Sequence, residues 1–200
     1  MIWFTSDLHL NHMNILKYEP ISRPFDTVEE MNETLIGNWN ARVKDDDTVF
    51  ILGDLCMGIN SDAAALVNRL KGKKILVRGN HDTTPRRKIF EEECGIEIHD
   101  IYYLPYKGRY FVLCHFPIAS EEFMEMVRRD NSEVIMLYGH VHSNAPCGYV
   151  DGTFHVGVDT NGLAPVSIEE IWKQSWPNAT EEILKYKARY ENGDKHECDV

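Results

Sequence analysis

Thr48-Val49-Phe50-Ile51-Leu52-Gly53-Asp54 is an apolar run that stops at a glycine and an acid. A short run rich in β-branched and aromatic residues and closed by glycine reads as a strand whose end delivers a carboxylate into a loop. The same arrangement recurs along the chain. Ile2–Thr5 leads through Ser6 into Asp7-Leu8-His9. Lys74–Val77 stops at Gly79-Asn80-His81-Asp82, Phe111–Cys114 at His115, and Val134–Tyr138 at Gly139-His140-Val141-His142. Five of the nine histidines (His9, His81, His115, His140 and His142) fall in these strand-end positions. Strands that end at one rim of a sheet bring such loops together although they are far apart in sequence.

Helical patterns separate the strands. Thr27–Val43 places Val28, Met31, Leu35, Ile36 and Trp39 at helical spacing, with Asp26 or Thr27 as its cap. Ser61–Leu70 reads as a helix, and so does Pro85–Cys94, with proline in its first turn and Gly95 past its end. Ile98–Leu104 and Tyr110–Cys114 read as neighbouring strands around a Lys107-Gly108 turn. Ser120–Arg129, Val166–Trp172 and Thr180–Tyr190 read as helical, and Asp151-Gly152 as a hairpin turn between Gly148–Val150 and Thr153–Val156. No repeat or linker divides the chain. The expectation is one α/β domain over residues 1–191, with two sheets packed as a sandwich and helices outside. A loose polar tail is expected over 192–200.

With 200 residues, 43% hydrophobic and 26% charged, the chain has the balance of a globular protein with a sizeable core. The apolar runs are too short to span a bilayer. The start lacks a basic segment followed by a small-residue cleavage site, so a secretory precursor is not expected. Five cysteines, an odd number with no CxxC pair, fit free thiols in a reducing cytoplasm. Lys and Arg total 21 against 32 Asp and Glu, a formal net charge of −11. Such a surface repels the phosphate backbone, so stable nucleic-acid binding is not expected. A small anionic substrate remains compatible where metal ions supply local positive charge. The sequence does not determine the oligomeric state.

Mixed imidazole and carboxylate donors suit borderline transition metals such as Mn, Fe, Co, Ni and Zn. Two cations held close together need a bridging ligand, and the Asp54 carboxylate is the candidate. Paired ions roughly 3.5–4 Å apart clamp the attacking and leaving oxygens of an in-line displacement, and they acidify a water so that hydroxide is available near neutral pH. Gly53, Gly79 and Gly139 are expected to let the backbone turn at the strand ends.

In their order DxH, GD, GNH(D/E), a lone His and GHxH, these blocks resemble the calcineurin-like metallophosphoesterases, and the resemblance runs from about Ile2 to Trp172. It implies a four-layer α/β/β/α sandwich of two mixed sheets and a dinuclear-metal-dependent phosphoric ester hydrolase. Asp7, His9 and His142 would bind the first metal, Asn80, His115 and His140 the second, and Asp54 would bridge them. Manganese would be the first choice, with Fe, Ni, Co or Zn as others. His81 would protonate the leaving group or orient the phosphate, and Asp82 would position His81. The substrate class is a small phosphodiester or nucleotide-like ester. A phosphomonoesterase, a scaffold with idle metals and a nuclease subunit are the alternatives, and the intact ligand blocks and acidic charge weigh against the last two.

Other residues are open to plainer readings. His12 could touch substrate phosphate or simply build the loop, and Asn11 and Asn144 are treated alike. Arg23 has a fork suited to phosphate, but an internal salt bridge to an acidic neighbour is favoured. His99 and His155 fall within strand patterns and are expected at core or edge positions. Cys56 and Cys114 are expected to pack, with strand alternation turning Cys114 away from the site. His196 and Cys198 match no block.

Overall fold

The computed structural model describes residues 1–58, 61–118, 134–150 and 152–175. Among the described residues, ten strands form two five-stranded sheets. The first has the order β10-β1-β2-β3-β4, built from β1 (Ile2–Thr5), β2 (Thr48–Ile51), β3 (Lys73–Val77), β4 (Glu97–His99) and β10 (Val166–Ser167). Strands β1 to β4 run parallel, and β10 pairs antiparallel with β1. The second sheet has the order β5-β6-β7-β9-β8, from β5 (Tyr102–Tyr106), β6 (Arg109–Leu113), β7 (Val134–Tyr138), β8 (Tyr149–Val150) and β9 (Thr153–His155). Its middle strands β6, β7 and β9 are parallel and its outer pairs antiparallel. Both sheets are therefore mixed, as expected for the α/β sandwich.

Period-two alternation divides each apolar run between two cores. In β2, Phe50 packs with Phe4, Val77, Phe111, Leu113 and Phe154 between the sheets. Phe4 joins them directly, with its ring centroid 5.8 Å from that of Phe50 and 6.0 Å from that of Phe111. Val49 and Ile51 face the opposite side, against Met31, Leu35, Trp39, Val67 and Phe90. These belong to α2 (Val28–Arg42), α3 (Ser61–Asn68) and α4 (Thr84–Cys94), the helical layer over the first sheet. A fully buried side chain of this size stabilises by roughly 1.5–3 kcal/mol relative to exposure. Thr27 caps α2, its hydroxyl accepting the Glu30 N–H at 3.1 Å, and Gly95 ends α4 in the left-handed region (φ 63). A further short helix, α1 (Ile15–Tyr18), lies in the loop after β1.

Two readings are corrected. Ile98–Leu104 is not one strand: Glu97–His99 pairs with β3 in the first sheet, and Tyr102 begins the second. The chain turns at Asp100 and Ile101, where the Arg78 N–H donates to the His99 carbonyl and the Arg78 guanidinium pairs with Asp100. Apolar periodicity is the same on both sides of such a corner. Val166–Trp172 likewise opens with a strand before α5 (Ile168–Ser175). A reciprocal cap sets that boundary, the Ser167 N–H donating to Glu170 Oε2 at 2.8 Å and the Glu170 N–H to Ser167 Oγ at 3.2 Å. The Lys107-Gly108 turn is as read, a two-residue loop with both residues at positive φ (50 and 77). The Ser120–Arg129 and Thr180–Tyr190 helices, the 192–200 tail, His196 and Cys198 lie outside the described residues. No described helix is long and apolar enough to cross a membrane.

Candidate metal centre

Strands β1, β2 and β3 run parallel and end at one edge, and β6, β7 and β9 do the same in the second sheet. Backbone hydrogen bonds continue past the strands and lock the loops together. The Asp7 N–H donates to the Gly53 carbonyl at 3.0 Å, the His9 N–H to the Asp54 carbonyl at 2.9 Å, and the Gly139 N–H to the His115 carbonyl at 3.0 Å. The Val158 N–H donates to the Ser6 carbonyl at 3.2 Å, joining the two edges.

Asp7, His9, Asp54, His115, His140 and His142 meet in the cleft so formed. Asp7, His9 and His142 present donor atoms within 4.8 Å of one another, and so do Asp7, Asp54 and His115. His9 Nε2 and His115 Nε2 approach Asp54 Oδ2 from two sides, at 3.5 and 3.6 Å. Asn80 Oδ1, His115 Nε2 and His140 Nδ1 form a triangle with sides of 2.9, 3.0 and 3.2 Å. All seven residues predicted as ligands are thus brought together.

Acceptor atoms face one another here, with His115 Nε2 and Asn80 Oδ1 2.9 Å apart. His115 Nδ1 lies 2.8 Å from the Leu52 carbonyl, which only accepts, so Nδ1 carries the proton and Nε2 presents its lone pair. His142 Nδ1 lies 2.8 Å from Asp159 Oδ2, which fixes the same tautomer. His9 Nε2 is buried and has no hydrogen-bond partner among the described residues. A buried polar atom without a partner is costly, and acceptors aimed at one another are the arrangement a cation resolves. The donor set therefore fits divalent metal ions. Burial raises the pKa of Asp7 and, together with the Arg23 charge, holds that of His9 well below the usual imidazole range.

The backbone is strained where the ligands sit. Five of the seven have left-handed φ: Asp7 (56), His9 (48), Asp54 (56), His140 (72) and His142 (51). Each such residue costs on the order of 1–3 kcal/mol and persists only where its surroundings enforce it. Gly53 turns the chain in the left-handed region as expected (φ 88), whereas Gly79 and Gly139 do not adopt positive φ. Gly79 does not need positive φ; it makes room, since a Cβ there would lie 2.2 Å from Asp54 Oδ1.

Asp82 acts on backbone, and Arg23 makes an internal ion pair with Asp159. The Asp82 carboxylate meets backbone rather than the His81 ring, accepting the N–H groups of Gly79 at 2.7 Å, Asp54 at 2.8 Å and Leu55 at 3.2 Å. It fastens the Asp54 loop to the loop that carries Asn80 and His81. Arg23 does not face the cleft. It is 1% exposed, and its five N–H groups are taken by Asp159, the carbonyls of Asp7 and Leu8, and Met31 Sδ. The favoured internal salt bridge is the one observed, and a substrate contact by Arg23 is ruled out by burial.

His81 is half-buried at the cleft, its ring centroid 5.2 Å from that of His9 and 6.0 Å from that of His12. His12 Nδ1 lies 3.2 Å from His9 Nδ1. The Asn11 and Asn144 side chains belong to exposed residues. His155 is buried, bonded through Nδ1 to Thr160 Oγ1 at 2.7 Å, with its pKa pushed down to about 4 by burial. His99 lies on edge strand β4 beside Glu97. Cys114 packs with Met136 and Tyr138, apart from the inter-sheet core, and Cys56 packs among buried apolar residues.

Asp159 is the site residue that sequence reasoning missed. It follows β9 through Val156-Gly157-Val158, a strand, glycine and acid order like that of Asp54 but with Val158 between the glycine and the acid.

Residues 1–197 match the family described as Calcineurin-like phosphoesterase. An uncharacterized protein of Methanocaldococcus jannaschii is 36% identical over 179 residues, covering 86% of this chain and 89% of that protein. The gene 66 protein of Mycobacterium phage L5 is 32% identical over 193 residues, covering 85% and 91%. Among solved structures, a protein of unknown function from Aquifex aeolicus superposes with a TM-score of 0.69 at 29% identity, covering 86% of this chain and 98% of its own. Family match, relatives, fold and the converging Asp and His groups agree: the chain belongs to the calcineurin-like phosphoesterase family.

Proposed function

We propose that the protein is a phosphoesterase working with two divalent metal ions, held by Asp7, His9 and His142 on one side, by Asn80, His115 and His140 on the other, and by Asp54 between them. The observation that carries this reading is the meeting of seven donor side chains from five separate loops, with a buried His9 Nε2 that has no hydrogen bond among the described residues. Metal ions bound there would supply Lewis acidity and a water acidified toward neutral pH. The chain's own residues would do the rest. The strained loops hold the ligands in place before substrate arrives. The Asp82 clasp fixes the loop of His81, which gives a proton to the leaving oxygen. His12, beside His81, contacts the phosphate.

Small phosphodiesters or nucleotide-like esters are the proposed substrates and manganese the proposed metal; the donor chemistry also accepts Fe, Ni, Co and Zn. The test is turnover of an aryl phosphodiester and an aryl phosphomonoester by chelator-stripped protein, with each metal returned in turn. Hydrolysis that is absent in the stripped protein and restored by manganese is expected, with the diester preferred. Equal turnover with and without metal would refute the metal-dependent reading, and a monoester preference would refute only the diester assignment.

A further inference from the structure

Asp159 has a fully buried side chain whose oxygens are all engaged. Oδ1 accepts from Arg23 Nε at 2.8 Å and Ser22 Oγ at 2.9 Å. Oδ2 accepts from Arg23 Nη2 at 2.9 Å and lies 2.8 Å from His142 Nδ1. Arg23 makes this buried charge tolerable, because an ion out of water costs several kcal/mol unless paired and hydrogen-bonded. The remaining Arg23 donors reach the carbonyls of Asp7 and Leu8, on the loop that carries Asp7 and His9. One ion pair thus reaches the His142 ring and the backbone of Asp7 and Leu8, the residues just before His9.

The other imidazoles of the site are supported differently. His115 is backed by the Leu52 carbonyl and His9 by His12. Among the described residues, Asp159 is the carboxylate hydrogen-bonded to an imidazole of this cluster. A carboxylate behind a ligating imidazole fixes its tautomer and ring orientation and raises its basicity. In His142 it directs Nε2 toward Asp7 Oδ1, 3.9 Å away.

We propose that Asp159 is the positioning residue of the Asp7, His9 and His142 set, acting through His142, with Arg23 as its counter-charge and as the clamp on the β1 loop. The inference rests on the dinuclear reading above and adds that the two metal positions depend on different supports. Asp159 and Arg23 hold one; the Leu52 carbonyl, behind His115, holds the other.

The test is manganese titration of the full-length, chelator-stripped protein by calorimetry, with the electron paramagnetic resonance signal of a spin-coupled manganese pair as a second readout. The variant Asp159→Asn combined with Arg23→Met removes both charges, so no ion is left buried alone. It is expected to keep one binding step, to weaken the other about 10–100-fold, and to lose the coupled-pair signal. Asp159→Glu, which keeps the charge opposite Arg23 but displaces the oxygen at His142, is expected to weaken the same step and covers the case in which the double variant does not fold. A folded variant that binds two manganese ions as tightly as wild type, with the coupled signal intact, would overturn the role of Asp159 alone. Wild-type protein that takes up no manganese would overturn the dinuclear reading beneath it.

Discussion

His81 and His12 stand side by side at the cleft and separate two kinds of contribution. The His81 N–H donates to Asp54 Oδ1 at 2.8 Å, so its backbone belongs to the ligand frame while its half-buried ring faces the cleft. His81→Ala is expected to retain its metals and to lose about 10²–10⁴-fold in kcat, the usual worth of general acid help. The loss should be largest for substrates with poor leaving groups and small for aryl esters whose leaving oxygen needs no proton. Steady-state kinetics across a series of leaving groups gives the answer, and a loss of equal size throughout would contradict the proton-donor role. His12→Ala, by contrast, should raise KM, because its proposed contact is with the phosphate in the ground state and the transition state alike. A fall in kcat at unchanged KM would remove that contact from the account.

Elements deliver these residues, and the strand-end loops leave little slack. Gly79 shows how little. A methyl group there would meet Asp54 Oδ1 at 2.2 Å and the Asp54 nitrogen at 2.8 Å, both inside any permitted contact. Gly79→Ala should therefore push the Asp54 loop away from the Asn80 loop and break the Asp82 clasp. Displacement of about 1 Å at a reacting centre costs on the order of 10²-fold in rate. Turnover should fall by about that much and manganese affinity with it; a variant with wild-type affinity and rate would show that the loops are looser than their contacts imply. The strand ends themselves were legible in the sequence, because an apolar run closed by glycine and a metal-type side chain is a local signal. The switch of sheet at Asp100 and the two-residue strand β10 were not, since pairing partners decide them and periodicity does not. Arg23 and Asp159 form their bond across 136 positions of sequence. No spacing rule links them, and Val158 separates Gly157 from Asp159, so the adjacent glycine and acid that marked Asp54 is not repeated there.

The whole molecule carries a formal charge of −11, with its chemistry gathered at one rim of the sandwich. A long polyanion meets the repulsive field of the full surface, whereas a small phosphate ester needs only the local field of metals and imidazoles. At fixed manganese and moderate salt, kcat/KM for a small diester is expected to exceed that for a single-stranded oligonucleotide. Oligonucleotide affinity should lack the steep fall with rising salt that marks counterion release. A preference for the oligonucleotide with a steep salt dependence would reverse the charge argument while leaving the metal centre untouched.

The central claim is that seven side chains from five loops form one dinuclear centre with Asp54 shared between its halves. Metal content per chain, measured by elemental mass spectrometry after equilibration with excess manganese and removal of free metal, tests it most directly. Wild-type protein should hold close to two ions, and Asp54→Ala should lose metal from both positions, because the carboxylate faces His9 on one side and His115 on the other. Wild-type protein that remains metal-free under saturating manganese, or an Asp54→Ala variant that still holds two ions, would contradict the account.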